Sequence, residues 1–101
     1  MQKIIKGKLY NTDTAELVAD DQYSYPSDFD YWYEALYRKK NGEFFLYGDG
    51  GPCSKYCKCV GQGDYVGAEV IIPITDSKAK CWAEHHMETE KYIEVFGEPE
   101  E

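Results

Sequence analysis

Short apolar runs separated by turn residues fill most of this chain, and a helical spacing of apolar positions takes over after Ile74. Lys3 to Tyr10, rich in Ile and Leu, reads as a strand, Asn11-Thr-Asp-Thr14 as an Asx-type turn, and Ala15 to Ala19 as the returning strand. An N-terminal hairpin is therefore expected. Asp20 to Asp28, with Pro26, keeps no period and reads as an exposed loop. The next segment admits two readings. Phe29, Trp32, Tyr33, Leu36 and Tyr37 fall at helical spacing behind a Ser27/Asp30 capping box. Against this, Tyr31-Trp-Tyr33 favours strand, and Asn41-Gly42 is a strong hairpin turn signal. The expectation is a hairpin between Tyr33 to Lys39 and Glu43 to Tyr47, its pairing broken by Gly48-Asp-Gly-Gly-Pro52. Cys53 to Val60 has no decisive pattern. Gly61 to Gly67 reads as a glycine-rich loop, and Ala68 to Ile72 as a central strand ended by Pro73.

Behind a cap at Thr75 or Asp76, the residues Ala79, Trp82, Ala83, His86 and Met87 share one helical face, and Thr89 to Phe96 predicts a second short helix before Gly97. The expected class is α+β: an antiparallel β-sheet of four to five strands with one or two C-terminal helices packed on one face. At 101 residues the chain suits one domain, placed at 1–97, with an acidic frayed tail at 98–101.

Composition adds that this domain can build its own core, since 43% of residues are apolar and ten are tyrosine. No run approaches the roughly 20 apolar residues of a membrane span, and MQKIIKGKLY lacks a signal-peptide core. A cytoplasmic setting with four free thiols is expected. The net charge of −8 repels polyphosphate, so direct DNA binding is not expected and a basic partner is. That charge is uneven. Between Lys8 and Arg38 there is no Lys or Arg, while Asp13, Glu16, Asp20, Asp21, Asp28, Asp30 and Glu34 supply seven carboxylates. A second acidic run fills the C-terminal end, and Arg38, Lys39, Lys40, Lys55 and Lys58 make the middle locally basic.

Chemical motifs are sparse. Cys53, Cys57, Cys59, Cys81 and His85 contain zinc-ligand types, but Cys-x3-Cys-x-Cys lacks the usual Cys-x2-Cys knuckles, so no metal and no cofactor is expected. Cys81 and His85, four apart on a helix, read as surface neighbours rather than as nucleophile and base. Gly61-Gln-Gly-Asp-Tyr-Val-Gly67 is no phosphate loop, and Arg38-Lys-Lys40 reads as a solvated hairpin tip. Without a nucleophile elbow or carboxylate cleft, the chain is not expected to be an enzyme. The acidic stretch interleaves its carboxylates with Tyr23, Tyr25 and Tyr31 to Tyr33, and Tyr and Trp often become interface hot spots. The expected partner-binding residues are Asp13, Glu16, Asp20, Asp21, Tyr23, Tyr25, Asp28, Asp30 and Glu34.

Three runs carry a resemblance: KLYNTDTAELV from Lys8, LYRKKNGEFFLYGDGGP from Leu36, and IIPIT from Ile71. They resemble a family of small proteins borne by phages, plasmids and conjugative elements of Gram-positive bacteria, which includes type II-A anti-CRISPR proteins. The resemblance spans nearly the whole chain and names no catalytic residue. It implies a Cas9 inhibitor whose partner is Cas9 or its guide-RNA complex. Cas9's basic channels for guide and target are surfaces for which a compact acidic protein could compete. The alternative it leaves is an accessory protein binding another host nucleic-acid-handling protein.

Overall fold

The computed structural model describes residues 1–25, 27–61 and 64–100. Pro26, Gln62, Gly63 and Glu101 lie outside the described residues, and strand pairing reaches Gly61 and resumes at Asp64, so the glycine-rich loop expected over Gly61 to Gly67 is corrected to the ends of two paired strands. The architecture is α+β, in three layers. Strands β1 (Gln2–Ile5) and β2 (Lys8–Asn11) form a two-stranded hairpin. Strands β3 (Glu16–Tyr23), β4 (Trp32–Arg38), β5 (Phe44–Gly50), β6 (Cys57–Gly61) and β7 (Asp64–Ile74) form an antiparallel sheet in the order β3-β4-β5-β7-β6. Helices α1 (Asp76–His86) and α2 (Thr89–Phe96) follow.

The expected N-terminal hairpin is corrected in its pairing. Lys6 and Gly7 have φ of 51° and 79°, the consecutive positive values a tight hairpin turn needs. Lys3 to Tyr10 therefore folds back on itself, with Ile5 opposite Lys8. Residues 15–19 are released to β3, whose Glu16 lies opposite Arg38 of β4. Residues 20–23, expected in a loop, continue that strand, because β4 supplies partners as far as Tyr23 opposite Trp32. Only the segment from Ser24 onward connects the strands.

The Asn41-Gly42 hairpin stands, and the helical reading of Phe29 to Tyr37 is excluded. Gly42 N–H donates to the Lys39 carbonyl at 2.9 Å, Lys39 N–H to the Glu43 carbonyl at 2.8 Å, and Gly42 has φ 91°. Gly48 and Gly50 do not break β5. Pairing runs on to Gly50 opposite Ala68, and the glycines are there because other groups come close. A Cβ on Gly48 would lie 2.6 Å from Tyr56 Cε1. Pro73 does not end β7 either. It sits opposite Phe45, where β7 has no outer partner, since β6 reaches only Asp64 to Gly67. A missing N–H is tolerated at such an edge.

Strand alternation builds a core on each side of the sheet. Val18, Leu36 and Phe44 face the helices, where they meet Ala79 and Trp82 of α1, with Val95 and Phe96 of α2 packed against them. Thr75 caps α1, its hydroxyl accepting from Lys78 N–H at 3.2 Å. On the other side Phe45 and Ile71 lie under Tyr10 of the β1–β2 hairpin. Phe45 and Leu36 are fully buried and belong to the two opposite cores. The small hairpin covers only part of its face.

Candidate functional site

The same alternation divides the acidic stretch. Asp21, opposite Glu34, faces the helices, whereas Asp20, opposite Ala35, faces the other way. On the helix side Glu34 is only 4% exposed. Lys55 Nζ lies 3.1 Å from it, the Tyr56 hydroxyl donates to it, and Trp82 Nε1 donates at 3.4 Å. His86 bridges outward, with Nδ1 at 2.7 Å from Asp21 Oδ2 and Nε2 at 4.0 Å from Glu34 Oε1. Burial pushes the Glu34 carboxyl up, but hydrogen bonds from Tyr56 and Lys55, the Lys55 charge and Trp82 outweigh it and hold the group below its ordinary range. Tyr56 is pushed up by burial and by its bond to Glu34. Lys55 also sits 4.6 Å over the Trp32 ring.

Glu34 is therefore corrected from interface residue to internal anchor. It ties the loop after β5 and the end of α1 to the middle of the sheet, and its lone pairs are already engaged. Asp13 and Glu16 also separate from the rest. Asp13 lies in the exposed turn before β3, Glu16 pairs with Arg38 at 2.6 Å, and β3 places Glu16 about 23 Å from Tyr23 at 3.3 Å per residue.

The structure does bring Tyr23, Tyr25, Asp28 and Asp30 together around the β3–β4 connection. Asp28 organises this loop. Its carboxylate accepts from Ser24 Oγ at 2.7 Å and from Asp30 N–H at 2.9 Å, and these bonds hold it below its ordinary range. The loop is also stapled to the one after β5: Gly51 N–H donates to the Tyr31 carbonyl at 2.8 Å and Cys53 N–H to the Phe29 carbonyl at 2.9 Å. On this framework Tyr23, Tyr25 and Phe29 are 55%, 67% and 68% exposed, with Tyr23 stacked on Trp32. Asp30, in the same loop, is exposed. Phe29 was not among the expected interface residues. In the sequence its apolar spacing fits one face of a helix.

A second acidic and aromatic surface was missed altogether. On the sheet side opposite the helices, Tyr33 donates its hydroxyl proton to Asp20 Oδ2 at 2.8 Å, and the Tyr47 hydroxyl lies 2.8 Å from both Asp49 Oδ2 and Glu69 Oε2. Burial, reinforced by these carboxylates, pushes Tyr33 and Tyr47 far up, so both remain neutral donors. No signal in the linear sequence joins Asp20, Asp49 and Glu69. Their proximity follows from register, which sets Asp49 opposite both Tyr33 and Glu69.

The cysteines gather into nothing comparable. Cys53, Cys57, Cys59 and Cys81 are exposed and free, and among the described residues no group of three or more His, Cys, Asp or Glu side chains is arranged to hold a metal ion. His85 Nδ1 lies 2.8 Å from the Cys81 carbonyl, as neighbours on one helix. Among the described residues no helix is long and apolar enough to cross a membrane. The chain matches no family model, no curated protein and no solved structure.

Proposed function

We propose that this chain is a non-catalytic inhibitor that docks on a basic surface of another macromolecule, and that the partner is Cas9 or its guide-RNA complex. The observation that carries the binding reading is the β3–β4 loop. Three large aromatic side chains stand more than half exposed on a segment fixed by hydrogen bonds within itself and to a neighbouring loop. Exposed aromatics on a preorganised segment lose little entropy on binding, and they are the side chains that dominate interface energies. Asp30, exposed in the same loop, favours a basic counterpart and speeds its approach. Cas9 is named on the strength of the sequence resemblance, and its basic channels meet that requirement.

The test is a DNA-cleavage assay with Cas9 and guide RNA, paired with a direct binding measurement. The parent protein should inhibit, and Tyr25→Ala with Phe29→Ala should weaken binding at least about tenfold, or about 1.4 kcal/mol. The double variant should melt with the parent, since both side chains lie outside the core. Intact cleavage by several Cas9 variants at saturating protein removes Cas9 as the partner. Undiminished inhibition by the double variant removes the loop as the surface.

A further inference from the structure

The uncovered half of the sheet face opposite the helices is a docking surface, and we infer that its occupant is an extended protein segment presenting arginine side chains. The β1–β2 hairpin covers Phe45 and Ile71 on this face, Tyr47 packs against the edge of that cluster, and Tyr33 beyond it is half-buried. A hollow of about 230 Å³ opens where the hairpin ends, with Tyr33, Tyr47 and Glu69 in its wall. Across this bare area run three carboxylates, and among the described residues none of Asp20, Asp49 and Glu69 forms an ion pair. The opposite face meets its charge differently, with Lys55 and His86 set against Glu34 and Asp21.

Charge complementarity selects a cation, and the detail selects arginine. The Tyr47 hydroxyl has one proton and two carboxylate oxygens at 2.8 Å, so it can donate to only one of them. The other is left to water or to an incoming donor. A planar guanidinium can bridge two such oxygens and also lie against the Tyr33 and Tyr47 rings, which an ammonium does less well. From β3 to the midpoint of β5 and β7 is about 12 Å at 4.8 Å per strand, and Asp20, opposite Ala35, lies two residues along from the Tyr33–Asp49–Glu69 row, so the diagonal is about 14 Å. Residues i and i+4 of an extended segment point the same way and are about 13 Å apart. One arginine then faces Asp20 and the other Asp49 and Glu69.

This inference stands apart from Cas9 and from the aromatic loop, since its probe is a short peptide. A capped heptapeptide with arginines at its second and sixth positions would be titrated into the labelled protein and followed by amide chemical shifts and calorimetry. The expected shifts centre on Tyr33, Tyr47, Asp49 and Glu69. Glu69→Gln should weaken binding at least about threefold, Glu94→Gln on α2 should change it little, and the lysine version of the peptide should bind at least about threefold more weakly. Absence of binding would overturn the inference. So would equal losses from Glu69→Gln and Glu94→Gln, which would mean attraction to net charge alone, or equal affinity for the lysine peptide.

Discussion

Replacing Gly48 with alanine probes how firmly the sheet and the loop after β5 depend on each other. In an ordinary strand interior this change stabilises by about 0.5–1 kcal/mol, because glycine loses more backbone entropy on folding. Here the new methyl would meet the Tyr56 ring, lying 2.6 Å from Cε1 and 2.7 Å from the hydroxyl oxygen. The backbone cannot give way easily, since Gly48 is paired on both sides, with Glu34 and with Val70. Tyr56 must move instead. Overpacking of this kind costs about 1–3 kcal/mol. Losing the hydrogen bond from Tyr56 to the Glu34 carboxylate costs a further 1.5–3 kcal/mol or so. After subtracting the entropy gain, Gly48→Ala should destabilise by about 2–5 kcal/mol, a drop in Tm of at least about 8 °C for a domain of this size. The assay is chemical and thermal denaturation of Gly48→Ala, Tyr56→Ala and the double variant. With the ring gone, the alanine at 48 should be neutral or stabilising, giving a coupling of at least about 1.5 kcal/mol. A Tm within about 2 °C of the parent for Gly48→Ala, or strict additivity of the two changes, would refute the reasoning.

Two further outcomes follow from titration. Tyr33, Tyr47 and Tyr56 have pKa values in the folded protein raised above the ordinary value near 10, so their contribution is complete below about pH 10 and is lost as pH rises further; ultraviolet titration should show them ionising only as the chain unfolds. Glu34 is shifted the other way, so its contribution is present above the ordinary carboxylate range and is lost as pH falls through it; urea midpoints between about pH 5 and 3 should fall more steeply for the parent than for Glu34→Gln, and parallel curves would contradict the assignment.

Much of the fold was legible because its signals were local. Thr75 caps α1 through its own side chain, Gly97 ends α2, and Asn41-Gly42 closes the central hairpin, each within a few residues of the element it bounds. What failed were glycines with distant causes. Gly48 and Gly67 read as loop residues, yet each sits in a strand where Tyr56 and the Gly50 carbonyl respectively come close. The Lys6-Gly7 turn is not legible in the sequence because Lys at positive φ carries no compositional mark, and without that turn residues 15–19 read as the partner of the first strand.

The acidic stretch shows the same limit at the level of function. Seven carboxylates between Lys8 and Arg38 look like one surface when counted along the chain. A strand cannot present them so, because neighbours point to opposite faces. Asp20 and Asp21, adjacent in sequence, end on different sides of the sheet, one bonded by Tyr33 and the other set against His86. Glu34 is drawn inside because Tyr56 and Lys55 arrive from a loop 21 to 22 residues later. Asp49 and Glu69, separated by the whole β6 region, become neighbours across one hydroxyl. Net charge alone leads to the expectation of a basic partner, while which carboxylates stand exposed to meet one depends on register, which pairs residues far apart in the chain.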